Sequence, residues 1–138
     1  MRMPLAVLLL ICAACGGASD GQTSVTPATF TNVQSMVFSV GCNTPTCHGM
    51  RGARGGLNLE PGVAYNALIG AVADNDAARA MGLRLVVPGD PDASFLVTKL
   101  RLPLEPRFGT VMPQGTQGLD AQRLELIERW IRAGAPND

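Results

Sequence analysis

Lysine is almost missing from this chain: of eleven basic residues only Lys99 is a lysine. A broad lysine ring for steering towards an acidic partner is therefore excluded. Basic and acidic residues balance at eleven each, and without Arg2 the remainder is slightly acidic, which argues against a duplex-DNA partner. Histidine occurs once, so any site that needs two imidazoles from one chain is ruled out. No apolar run reaches the length a bilayer span requires. Internal repeats are absent, and no stretch alternates convincingly enough to read as a strand. What is plentiful is glycine, at sixteen, and proline, at ten, which together announce many turns. With 138 residues the length suits one domain whose core sustains itself without extra staples.

The N-terminus reads as an export leader over residues 1–15. Arg2 supplies a small positive region, Leu5 to Ile11 is unbroken apolar, and Ala13-Ala14 are small residues before a cleavage point. Cys15 follows directly, and Gly16, Gly17, Ala18, Ser19 and Asp20 make a polar tether. This arrangement resembles a bacterial lipoprotein signal, which implies a lipid on Cys15 and a membrane anchor. Cys12 departs from that pattern, where an aliphatic is usual, so an ordinary secretory leader is the alternative. Either leads outside the cytoplasm, to the periplasm, the outer membrane or the cell surface. Residues 16–28 have the composition of a linker, and residues 29–138 form the expected folded domain.

Within that domain the apolar positions Phe30, Val33, Met36, Val37 and Val40 recur at three and four, predicting a helix capped by Thr29 or Thr31 and stopped by Gly41. Cys42 to Gly56 reads as a loop. A second helix is expected from Pro61 with Val63, Leu68 and Val72 on its buried side, ending at Asp74-Asn75-Asp76. Leu83 to Val87 reads as loop before the turn Pro88-Gly89-Asp90-Pro91. Asp92 or Ser94 then caps a helix that buries Phe95, Leu96, Leu100 and Leu102 and stops at Pro103. After a long loop through Met112-Pro113, Asp120 opens the clearest helix, with Leu124, Ile127 and Ile131 on one stripe, Trp130 beside it, and Gly134 and Pro136 at its end. The expected class is all-α, a bundle of four or five short helices joined by long loops.

The only histidine lies immediately after a cysteine, in Cys42-Asn43-Thr44-Pro45-Thr46-Cys47-His48. Two thiols and an adjacent imidazole are what covalent haem attachment uses: thioethers to two vinyl groups, and an iron ligand on the same side. The usual attachment signature has two residues between the cysteines, and here there are four. Pro45 and its small neighbours are expected to loop out while the sulfurs keep their separation. For a second iron ligand the candidates are thioethers. Met50 is too near His48 to cross a porphyrin, and Met36 and Met81 fall in helical patterns where methionine usually fills a core. Met112, in a loop before the last helix, is the best placed.

Together with Gly49, Gly55-Gly56-Leu57, Val87 to Pro91, Ser94, Lys99-Leu100, Met112-Pro113 and Trp130 to Ala135, this segment resembles the mono-haem cytochrome c family. The likeness is strongest to small exported bacterial members, some with widened cysteine spacing, and runs from about Phe30 to Pro136. The resemblance implies a cytochrome c-like bundle around one covalent haem c. It makes His48 the proximal and Met112 the distal ligand, Cys42 and Cys47 the attachment points, and electron-transfer partner proteins the clientele. It also implies that the first and last helices cross, with Phe38 or Val37 meeting Leu126, Ile127 or Trp130, and Trp130 both core and haem shield. Arg84 or Arg54 would serve the haem propionates.

Competing readings stay open. A disulfide between Cys42 and Cys47 in an exported binding or scaffold lipoprotein is the main one, although it leaves the Cys-His adjacency unexplained. Copper(I) would suit the soft sulfurs, whereas zinc and iron-sulfur centres lack enough Cys or His. An enzyme is not expected, since the only imidazole is committed. A haem without Met112 bound would be a small-ligand sensor or, with distal polar groups, a peroxidase.

Overall fold

The computed structural model describes residues 25–138. The expected leader, the candidate lipidation residue Cys15 and most of the expected linker lie outside the described residues. Among those described, the chain is mostly helical, with five α-helices, long loops and no strand. Only isolated bridges pair Ile69 with Val86 and Val72 with Arg84, so Leu83 to Val87 is indeed loop. No helix there is long and apolar enough to cross a membrane.

Helix α1, Phe30–Val33, is capped by Thr29, whose hydroxyl accepts the Asn32 N–H at 3.1 Å. The helix does not stop at Gly41. It continues without a break as a π-helical stretch, Gln34–Cys42, closing with Asn43 N–H to the Phe38 carbonyl, five residues back. This wider winding overturns part of the predicted stripe. Val33, Val37 and Phe38 are buried, while Met36 and Val40 are exposed. It also carries Cys42 round to the inner side, five residues beyond Val37, whose carbonyl lies 3.6 Å from the Cys42 sulfur.

Helix α2 spans only Ala64–Leu68. The chain turns extended at Ile69 and reverses at Gly70, leaving Val63 and Val72 exposed rather than on a buried face. Asp74-Asn75-Asp76 starts a helix instead of ending one. Asn75 caps α3, Asp76–Ala80, by accepting the Ala78 N–H at 3.0 Å. Helix α4, Phe95–Leu100, follows Ser94, whose buried hydroxyl does not cap it. That hydroxyl instead donates to the Asp90 carbonyl at 2.7 Å and accepts the Val87 N–H, bracing the Pro88 to Pro91 turn. Leu102 lies outside the core, half exposed. Helix α5, Ala121–Arg132, has its expected cap, Asp120 accepting the Arg123 N–H at 3.0 Å. It buries Leu126, Ile127, Trp130 and Ile131.

Helices α1 and α5 pack on each other, and α4 packs on α5. Val37 and Phe38 share one core with Leu126, Ile127 and Trp130. The ends of the domain are tied: the Asp138 carboxylate accepts the Phe30 N–H at 2.8 Å, and its main-chain carbonyl accepts the Thr31 N–H at 3.0 Å. Arg129 donates to the Thr26 carbonyl and Asn32 to that of Pro27, so the end of the linker is held against the domain. A smaller cluster of Ala73, Ala78, Phe95 and Phe108 sits beside the main core. The two share the flank of α4, and a cleft opens along it.

Candidate functional site

The cleft encloses about 480 Å³, within the range of roughly 300–1,000 Å³ typical of small-molecule and cofactor pockets. Its walls are mainly apolar. Val37 and Phe38 come from the π-helical stretch, Leu57 and Leu59 from the loop after it, and Phe95, Leu96 and Leu100 from α4. Cys42, His48 and Met112 line it as well. Three of the four residues singled out in the sequence therefore meet at one cavity, although Met112 is remote from the others along the chain. Cys47 does not line it.

Local geometry explains how His48 gets there. Between Cys42 and His48 the chain closes a turn in which the His48 N–H donates to the Cys42 carbonyl at 3.0 Å, and both Cys47 and Gly49 donate to the Thr44 carbonyl. Pro45 and Thr46 are exposed, while Asn43 and Thr44 are half-buried. The far side is pinned by Leu59 N–H to the His48 carbonyl at 2.7 Å. Such tight folding demands glycine. A Cβ at Gly49 would stand 2.5 Å from the Asn43 carbonyl oxygen, and one at Gly52 would stand 2.6 Å from those of Pro45 and Cys47.

His48 Nδ1 lies 3.2 Å from the Leu57 carbonyl oxygen. A carbonyl can only accept, so Nδ1 carries a proton, and in the neutral imidazole Nε2 is then the nitrogen with the free lone pair. This is the orienting partner that a ligating imidazole ordinarily has. Met112 is brought in from the opposite part of the sequence by α4: its N–H donates to the Lys99 carbonyl at 2.7 Å, and Leu119 N–H donates to the Leu100 carbonyl at 2.8 Å.

The two cysteines are unjoined thiols in different surroundings. Burial raises the pKa of Cys42, with nearby Cys47 adding to the effect and Arg123 opposing it. Cys47 is lowered by the hydroxyls of Thr44 and Thr46 and, less strongly, by Arg54. Among the described residues no three His, Cys, Asp or Glu side chains gather in one group.

Other expectations are corrected. Met36 and Met81 are not core methionines, being 42% and 51% exposed. They lie on the surface and do not line the cleft, and neither does Met50, which is 73% exposed. Trp130 is wholly buried in the main core, its indole donating to the Pro136 carbonyl at 2.8 Å, and it does not line the cleft. Phe38 and Phe95 are the aromatic walls. Arg54 is at the cleft, whereas Arg84 turns away to the Gly70 carbonyl. Lys99, Asn75 and Gln114 also line it and were given no role by sequence reasoning. For Lys99 the available signal was its being the only lysine. No family model matches the chain, and searches of curated proteins and of solved structures return no match.

Proposed function

We propose that this chain is an exported electron carrier with one covalently attached haem c. In this reading it is held at a membrane by lipid on Cys15 and exchanges single electrons with partner proteins. The observation that carries the reading is the convergence of Cys42, the sole histidine and Met112 on one apolar cleft of cofactor size. The donor set suits the group. His48 offers Nε2 from an imidazole oriented through Leu57, Met112 offers a soft thioether, and the free thiols of Cys42 and Cys47 offer two points of covalent attachment. Bound there, haem would supply a one-electron iron couple. The chain would hold the group through His48 and Met112 and would exclude water with Phe38, Leu96 and Phe95, and a thioether donor would favour ferrous iron. Arg54, with Asn75 and Gln114, offers donors to carboxylates at the cleft. An imidazole and a thioether lining the same cleft favour electron transfer over catalysis in this reading, because both would serve the cofactor rather than a substrate. The disulfide-stapled scaffold has less in its favour, because it uses neither the cleft nor the oriented imidazole.

The test is maturation of the full chain in a periplasm that attaches haem, followed by a pyridine haemochrome spectrum after acid-acetone extraction. Mass spectrometry of the peptide spanning both cysteines would follow. Haem should stay with the protein and add its mass to that peptide through both sulfurs, and His48→Ala should lose stable haem. Recovery of a Cys42–Cys47 disulfide with no added mass, or a normal holoprotein yield from His48→Ala, would overturn the reading.

A further inference from the structure

One residue of α4 holds the loop that carries Met112 at three successive alternate positions. The Lys99 main-chain carbonyl accepts the Met112 N–H at 2.7 Å. Its ammonium donates to the Phe108 carbonyl at 2.9 Å and also to the Thr110 carbonyl. Those two carbonyls converge because the chain reverses between them at Gly109, where φ is +80° and a side chain would be strained. The start of the loop is fixed to the same helix by Phe108, buried edge-on against Phe95 with ring centroids 5.2 Å apart.

Lys99 is half-buried on the cleft wall, and no carboxylate pairs with it among the described residues. A partly desolvated ammonium is costly unless its protons find acceptors, and here the acceptors are main-chain carbonyls of the segment leading to Met112. From this geometry we infer that Lys99 is a positioning residue for the distal ligand: its ammonium clamps residues 108–110 so that the Met112 thioether is presented to the cleft that His48 also lines. The inference rests on the axial roles given to His48 and Met112.

The experiment compares mature wild-type protein with Lys99→Met, which keeps the apolar stem and removes the donors, and with Lys99→Arg, which keeps a charged donor. Hydrogen exchange over residues 104–116 reads the clamp directly. In Lys99→Met, exchange there should quicken by about tenfold or more, as expected for losing hydrogen bonds to a charged group, while exchange in α5 stays as it was. The near-infrared sulfur-to-iron band should weaken, carbon monoxide should bind the reduced protein faster, and Lys99→Arg should restore part of both. Unchanged exchange and an unchanged band in Lys99→Met would overturn the clamp. A wild-type holoprotein with no such band would remove Met112 as ligand, and hydrogen exchange would then decide the clamp by itself. Should Lys99→Met fail to accumulate, the wild-type protein gives a second readout, since the only lysine can be acylated unambiguously. Slow labelling that becomes fast on unfolding supports the clamp, and labelling at the rate of a free lysine overturns it.

Discussion

At the scale of single residues, the two cysteines show how neighbours divide one chemistry. Cys42 is half-buried and held less acidic than an ordinary thiol, while Cys47 is made more acidic by the Thr44 and Thr46 hydroxyls. The thiolate is the reactive form, so in reduced apoprotein near neutral pH Cys47 should be alkylated before Cys42. Timed labelling followed by peptide mass spectrometry checks the order, and the difference should narrow as pH rises past both thiols. If Met112 binds the proposed haem, its replacement by Ala should leave haem covalently attached, abolish the sulfur-to-iron band and lower the reduction potential, because the preference of a thioether for ferrous iron is lost. Spectroelectrochemistry of the pair of proteins measures it. Carbon monoxide binding by unmodified protein as tight and rapid as by the variant would point instead to an open site.

At the scale of elements, the segment between α1 and α2 sorts glycines by what surrounds them. Gly52 sits against two carbonyl oxygens of the attachment loop, and a methyl there forces backbone to move. Gly52→Ala should therefore cost about 1–3 kcal/mol, in the range of overpacking, and should depress holoprotein yield. Gly41, inside the π-helical stretch, has nothing within 4 Å of its would-be Cβ. Gly41→Ala should be stabilising by about 0.5–1 kcal/mol, and denaturant unfolding of both variants gives the contrast.

The same elements show what a sequence discloses. Helix α5 was legible because cap, stripe and terminating glycine agree, and the candidates Cys42, His48 and Met112 came from the single histidine, the cysteines beside it and a methionine in a loop before the last helix. The π-helical winding was hidden, since a spacing of three and four promises one buried stripe, whereas contacts five residues apart bury Phe38 and expose Met36. Helix α3 was missed because Asn75 serves equally as a terminator and as a cap, and only the Ala78 N–H it accepts distinguishes them. No local pattern announces that the carbonyls of residues 108 and 110 will face a lysine.

For the whole molecule, the core reaches the cleft through Val37, Phe38, Leu59, Leu96 and Leu100, while Trp130 stands back from it. Trp130 is fully buried beside Phe30, ring centroids 5.4 Å apart, yet does not border the cavity. Trp130→Ala should cost about 3–5 kcal/mol and lower the thermal midpoint. Whatever holoprotein folds should keep the visible spectrum and potential of the wild type. A large shift in potential would instead place the indole beside the haem.

The bonds from Phe30 and Thr31 to Asp138 have a consequence for the order of events in folding. They join residues 108 and 107 positions apart, among the most distant pairings in the domain, and closing so long a loop is entropically costly and slow relative to local turns. Helix α1 has only four residues before the winding changes, too few to persist unsupported. During refolding, then, amides of α5 should gain protection early and those of α1 late. The segment bearing Cys42 should stay accessible until the last residues have docked. Pulse-labelled hydrogen exchange would resolve that sequence, and it gives the attachment of a cofactor, as proposed above, a natural window: before Phe30 and Thr31 meet Asp138.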